Sequence, residues 1–174
     1  MNNIFIGMLF VFLDFNIDFG TTRVGLIPDF IGYILVAQGL AELTAGNDRF
    51  SRVRPVAIGM AVYTALLYVL DLFGMLLTSE PLLMFLLGLA STILSLYVSY
   101  GIVMGINDLE AALEQDLNAR SLYTAWTVLA VLTLAVYMLS LLPVLSLVCI
   151  IAGFVIGIAF LVMLNRTKNL YYNG

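Results

Sequence analysis

The chain contains no histidine and a single cysteine, and these two absences exclude several kinds of chemistry. Histidine is the commonest general base and a frequent metal ligand, so no Ser-His-Asp or Cys-His catalytic set can be built, and haem or zinc sites are disfavoured. Cys149 has no second cysteine with which to form an intrachain disulfide, and it fits the role of a small apolar packing residue. We therefore expect a protein that is not an enzyme and that holds no cofactor and no metal.

Charged residues are also scarce, at 10% of 174 residues. A soluble domain carries about 25%, so this chain lacks the side chains for a water-facing surface of ordinary polarity. Its mean hydropathy of +1.09 makes the lipid bilayer the expected partner of most of the chain. The net charge of −4 argues against binding to nucleic acid, which requires a basic surface.

Six apolar stretches fill a single transmembrane domain, residues 1–174, and each is near the length needed to cross about 30 Å of hydrocarbon. All four prolines stand where a helix is predicted to begin, a position at which the missing N–H group costs nothing. The short connections after the first, third and fifth stretches predict three consecutive hairpins. The predicted fold class is therefore an all-α bundle of six transmembrane helices, at about 3–19, 27–44, 55–77, 81–106, 121–141 and 143–164. The first two stretches are short enough either to cross a thinned bilayer or to form a re-entrant pair.

The positions of the cationic side chains predict the orientation. Six of the seven follow the second, fourth or sixth stretch, and only Arg23 follows an odd one. Because cytoplasmic loops retain Lys and Arg, both termini are predicted to be cytoplasmic. The six residues are Arg49, Arg52, Arg54, Arg120, Arg166 and Lys168.

An acidic helical extension of the fourth stretch is predicted at about 107–118. Leu109, Leu113 and Leu117 recur at helical spacing, with acidic residues between them. The extension is interpreted either as a surface helix packed on the inner ends of the bundle or as a docking surface for a basic soluble partner.

Small residues recur on one face of the second, fourth and sixth stretches. Such faces allow helix backbones to approach closely in lipid, where the hydrophobic effect does not drive association. They are expected to pack within the monomer or to form a homo-oligomer. The predicted helix-packing residues are Gly32, Gly39, Gly88, Thr92, Ser95, Ser99, Gly101, Gly105, Gly153 and Gly157.

Polar and ionisable residues gather near the predicted outer ends of the first three stretches. Asp14 and Asp18 are four residues apart and would share a helix face. Ionisable groups at membrane depth are costly and so suggest function. The predicted ligand- or ion-binding residues are Asp14, Asn16, Asp18, Arg23, Asp29 and Asp71.

Two interpretations of this set remain open. It is either a polar plug that fixes the first hairpin against the third helix, or an outward-facing site for a cation, a proton or a cationic ligand. Clustered aspartates also hold Mg²⁺ in membrane CDP-alcohol phosphotransferases. Their D-x-x-D-G-x-x-A-R pattern is not matched by Asp14-x-x-x-Asp18, which disfavours phosphoryl chemistry.

The segments FLDFNI at 12–17 and GLIPDFIGYIL at 25–35 resemble a group of small, uncharacterised integral membrane proteins of Gram-positive bacteria. The resemblance covers about residues 5–44. It implies a multi-pass protein of the bacterial plasma membrane and supplies no mechanism.

The sequence thus favours a small transporter-like or cation- or proton-binding membrane protein with an outward-facing acidic site. The alternative is a non-catalytic accessory or assembly subunit of a membrane complex, which would present the acidic extension and the small-residue faces to its partner.

Overall fold

A computed structural model describes residues 1–12, 16–19, 22–25, 28–44, 47–73, 80–139 and 142–173. The described elements, in chain order, are α1 (Asn2–Phe12), β1 (Asn16–Phe19), β2 (Thr22–Gly25), α2 (Asp29–Leu43), α3 (Asp48–Leu72), α4 (Pro81–Leu113), α5 (Ala119–Met138) and α6 (Pro143–Asn173). The chain divides into an N-terminal unit, Met1–Ser95, and a C-terminal unit, Leu96–Gly174. Helix α4 contributes residues to both units.

Four of the described helices, α3, α4, α5 and α6, are long and apolar enough to cross a membrane. The shortest of them, α5, has 20 residues and extends about 30 Å at 1.5 Å per residue. Their outer faces carry exposed aliphatic and aromatic side chains such as Val62, Val131, Val144 and Phe154, as lipid-facing surfaces require. The predicted helical membrane protein is confirmed at this level.

Helices α1 and α2 are shorter, with 11 and 15 residues, or about 16 and 22 Å. Neither reaches the roughly 30 Å of a hydrocarbon core, so six complete crossings stay a prediction. A continuous first helix over 3–19 is wrong, because α1 ends at Phe12 and Asn16–Phe19 is a strand.

Strands β1 and β2 form an antiparallel pair in which Asp18 is the register partner of Arg23 and Phe19 that of Thr22. The strands are rich in the β-branched and aromatic residues that favour extended backbone, including Ile17 and Val24. Hydropathy alone does not distinguish strands built of such residues from a continuation of the first helix. Strand β2 also contacts α3.

The prolines have different positions in their helices. Pro81 and Pro143 begin α4 and α6, and Pro28 is the residue before α2, as the sequence predicts. Pro55 instead lies inside α3, which begins at Asp48. The Asn47 side chain accepts a hydrogen bond from the backbone N–H of Arg49 at 2.9 Å, so this cap starts the helix seven residues before the proline.

In the N-terminal unit, α2 packs against both α1 and α3. The largest fully buried side chains there include Ile4, Met8, Leu40, Phe50 and Met60. In the C-terminal unit α5 packs against α6. Its buried core is built from apolar side chains that include Ile102, Ile106, Leu122, Phe160 and Leu164.

Candidate functional site

The described part of the predicted acidic site lies where the beginning of α2 meets the end of α3. The rings of Phe30 and Tyr68 pack edge to face there, with centroids 5.9 Å apart and planes at 62°. Asp29 precedes Phe30 in the first turn of α2, and Asp71 follows Tyr68 by three residues, about 4.5 Å along α3. Only a short connection joins these packed helices, so they run antiparallel. Both aspartates therefore lie beyond the aromatic contact at the same end of the N-terminal unit.

Asp29 and Asp71 have different local surroundings. Asp29 lies at the helix N-terminus, where backbone N–H groups and the helix dipole stabilise a negative charge. Its side chain is half-buried and its Oδ1 atom is buried. Asp71 is also half-buried but stands in the last turn of α3, where the dipole opposes a negative charge. The two aspartates therefore stand at opposite ends of their helix dipoles.

The aspartate at the start of α2 is also linked to a buried tyrosine. Tyr33 follows Asp29 by one helical turn, and the carboxylate interacts electrostatically with its hydroxyl. That hydroxyl is hydrogen-bonded to Ser95 of α4, and Tyr33 is only 3% exposed. Ser95 was predicted as a small packing residue. In the structure its hydroxyl also acts as a polar partner for α2.

The hairpin of β1 and β2 belongs to the same end of the unit, because β2 ends at Gly25 and α2 begins at Asp29. Asp18 and Arg23, two of the predicted site residues, are register partners in this hairpin. The predicted common helix face of Asp14 and Asp18 is wrong, since Asp18 lies in a strand. Asp14, and the side chains of Asn16, Asp18 and Arg23, lie outside the described residues.

Within the part of the chain that the structure describes, no group of three or more His, Cys, Asp or Glu side chains is placed to hold a metal ion. Asp29 and Asp71 are the carboxylates of the predicted site whose side chains the structure describes.

The predicted small-residue faces differ in how closely neighbouring helices pack against them. Gly32 and Gly39 of α2 both lie against α1: a β-carbon on Gly39 would be 2.6 Å from Cγ1 of Ile4. Gly153 has only Leu132 Cβ within reach, at 4.0 Å, so α6 is not tightly packed at this residue. Gly101, Gly105 and Gly157 are buried, whereas Gly88 and Thr92 are half-buried.

Ser99 has a polar partner in the C-terminal unit. Its hydroxyl accepts a hydrogen bond from Nε1 of Trp126 at 2.9 Å and donates one to the carbonyl of Leu96 at 3.1 Å. The Trp126 ring also packs against Tyr100, with centroids 4.9 Å apart. Ser99 therefore joins α4 to α5 through a specific bond as well as through its small size.

The predicted acidic extension ends as a helix at Leu113, and residues 114–118 form a loop. Glu114 and Asn118 adopt positive φ angles of 52° and 63°, which a helix does not accommodate. Leu113 is 49% exposed while Leu117 is fully buried, so the leucines do not share one packed face. The helical prediction over 107–118 is therefore correct only to residue 113.

The loop is closed by its own polar groups. One carboxylate oxygen of Glu110 accepts hydrogen bonds from the backbone N–H groups of Leu117 and Ala119, at 2.8 and 2.9 Å. The carbonyl of Leu117 accepts one from the Thr167 hydroxyl at 2.8 Å, which ties the loop to α6. Glu110 is thus a structural residue, and a docking surface in this region would depend on the exposed Glu114 and Asp116.

Gly7 is the packing residue that sequence reasoning missed. A β-carbon on Gly7 would lie 2.5 Å from the carbonyl oxygen of Gly32, so α1 and α2 approach backbone to backbone. A lone glycine in an apolar stretch is a weak signal. Gly7 meets Gly32 because of how α1 and α2 pack, and the spacing of small residues along the sequence does not predict this contact.

No protein-family model, no curated protein and no solved structure matches this chain. The family resemblance of the first hairpin accordingly stays a prediction. What the fold and its apolar helices support directly is a helical membrane protein, with four described helices able to cross the bilayer.

Proposed function

We propose that this protein is a small transporter-like membrane protein that binds a proton or a cationic ligand at an acidic site. The site is the end of the N-terminal unit that carries Asp29 and Asp71. Asp14, Asn16 and Asp18 would supply further oxygen atoms, and Arg23 would act as counter-charge. The proposal includes six spans, both termini in the cytoplasm, and a bacterial plasma membrane.

The single observation that supports this function most is the edge-to-face contact of Phe30 with Tyr68. It holds α2 and α3 together directly beside two half-buried aspartates. Partly buried carboxylates are costly when they are charged and surrounded by apolar groups. A bound proton or cation removes that cost, so the arrangement favours a positively charged ligand.

The proposed orientation rests on the arginines of the same unit. Arg49, Arg52 and Arg54 lie in the first two turns of α3, at the end opposite to Asp71. If these arginines remain in the cytoplasm, as the charge rule expects, the acidic end faces outward. A ligand would then reach the site from outside the cell.

The test is a thermal-shift screen of the purified protein in detergent against Na⁺, K⁺, Mg²⁺, Ca²⁺ and choline, repeated at several pH values. A ligand that binds only the folded state raises the melting temperature as its concentration rises above Kd. Asp29→Asn and Asp71→Asn should abolish the shift. Glu80→Gln is the matched control, since Glu80 is exposed directly before α4.

Two results would count against the proposal. The first is that neither a ligand nor pH changes the melting temperature of the native protein. The second is that Glu80→Gln reduces the shift as much as the two aspartate variants. If Asp29→Asn and Asp71→Asn leave both binding and growth unchanged while Glu114→Lys abolishes capture of a membrane partner, the accessory-subunit function is favoured instead.

A further inference from the structure

An open groove runs along the outer surface of α2 and α3, with a volume of about 670 Å³. Its sides carry Ala37 and Ala41 on α2 and Ala61 and Ala65 on α3, each pair four residues apart on one helix face. Alanine side chains leave room between the two helices where larger ones would meet. The sequence therefore creates the groove by placing small residues at helical spacing on both walls.

The groove is apolar along most of its length and cationic at one end. Phe30 and Ile34 lie toward one end of the groove, and Arg54 lies at the other end, near Ala41. Arg54 is exposed, so its guanidinium can meet a ligand at the mouth of the groove. Gln38 stands about one turn further in and adds one neutral amide.

The length of the groove fits one leaflet of a bilayer. Ala41 follows Phe30 by eleven residues of α2, which is about 16 Å of helix. Half of a hydrocarbon core is about 15 Å thick. An acyl chain that enters beside Arg54 would therefore extend along the groove toward Phe30.

We propose that the α2–α3 groove binds an anionic phospholipid of the cytoplasmic leaflet, with the acyl chain between the alanine walls and the phosphate on Arg54. Guanidinium groups bind phosphate through paired N–H donors, and basic residues beside membrane helices attract anionic headgroups. Gln38 would donate a hydrogen bond to the ester region. The phosphate end of this groove lies at Arg54, near the opposite end of α3 from Asp71, and the proposal does not depend on the proposed cation binding.

The test is native mass spectrometry of the purified protein with added dioleoylphosphatidylglycerol or dioleoylphosphatidylcholine. The wild-type protein should retain phosphatidylglycerol in preference to phosphatidylcholine. Arg54→Gln should lower the retention of phosphatidylglycerol about fivefold, to the level of phosphatidylcholine. Arg52→Gln is the matched control, because Arg52 is exposed two residues away and does not line the groove.

A second set of variants fills the groove. Ala41→Leu and Ala65→Leu place bulk on opposite helices, and either should reduce retention of both lipids because the acyl chain loses its space. Ala90→Leu, on an exposed face of α4, is the control for added bulk. Should a filling variant fail to fold, Arg54→Gln still tests the site, because it changes only an exposed side chain.

Three outcomes would overturn the proposal. In the first, the wild-type protein binds the two lipids equally. In the second, Arg52→Gln and Arg54→Gln reduce binding alike, which would indicate a diffuse basic surface. In the third, soluble glycerol 3-phosphate displaces phosphatidylglycerol completely, which would indicate a phosphate site without a role for the acyl chain.

Discussion

Gly7 of α1 and Gly32 of α2 cross with their backbones in contact. A β-carbon on either residue would lie within 2.8 Å of the other's carbonyl oxygen, closer than real β-carbons approach. Gly39 repeats the contact two turns along α2, where Ile4 of α1 fills the space. Because these glycines have no side chains, the first two helices pack closely against each other. This close packing fixes their relative position, although neither helix is long enough to span the bilayer.

We predict that Gly7→Ala and Gly32→Ala each destabilise the protein by about 1–3 kcal/mol, because the added methyl group must push the two backbones apart. Thermal unfolding in detergent, followed by far-UV circular dichroism, measures the change. Gly59→Ala is the matched control: nothing lies within 4 Å of a β-carbon there, so this helical glycine should gain about 0.5–1 kcal/mol. Equal losses in all three variants would contradict the close-contact explanation.

A second prediction concerns the loop between α4 and α5. Glu110→Ala removes the acceptor of two backbone hydrogen bonds and leaves the N–H groups of Leu117 and Ala119 to find other partners. We expect a loss of about 2–3 kcal/mol, since bonds to a charged acceptor are stronger than neutral ones. Glu114→Ala, at an exposed carboxylate, should change stability far less in the same unfolding experiment.

This prediction also affects how partner binding should be tested. Charge reversal at Glu110 would disturb the loop itself, so a lost interaction would not identify a docking surface. If Glu110→Ala proves as stable as the native protein, the loop is held mainly by the bond between Thr167 and Leu117.

Trp126 and Ser99 provide a third prediction. Trp126→Phe keeps a ring beside Tyr100 but removes the donor of the 2.9 Å hydrogen bond, and Ser99→Ala removes its acceptor. A double-mutant cycle should give a coupling energy of about 0.6–1 kcal/mol, typical of a hydrogen bond between membrane helices. A coupling energy near zero would show that the bond adds nothing beyond the packing of the rings.

The sequence predicts the long helices well because their signals are local. Pro81 and Pro143 begin helices as expected, and runs of apolar residues identify α4 and α6. The predicted start of α3 at Pro55 is wrong because the first two turns of the helix are rich in arginine. Hydropathy therefore placed the start at Pro55, although Asn47 followed by Asp48 is an ordinary helix-start signal.

The candidate site was harder to predict. The apolar residues that continue past Phe12 favour helix and strand alike, so hydropathy predicts a helix where the structure has the hairpin of β1 and β2. Asp18 and Arg23 are register partners because the two strands pair. A sequence pattern interpreted at helical spacing does not predict this pairing. The partner of Tyr33 is similarly set by packing between distant parts of the chain. The partners of Glu110 depend on the conformation of the loop that follows it.

The last prediction tests the orientation on which the outward-facing site depends. Single cysteines are introduced by Ser51→Cys, Glu80→Cys and Asn169→Cys in a Cys149→Ala background, at positions that are all exposed. If α3, α4, α5 and α6 each cross the bilayer, Ser51 and Asn169 lie on one face and Glu80 on the other, however α1 and α2 are inserted. A membrane-impermeant maleimide should label the cysteine at position 80 in intact cells, and those at 51 and 169 only after permeabilisation. The reverse pattern would place Asp29 and Asp71 on the cytoplasmic side, and the ligand would then have to come from inside the cell.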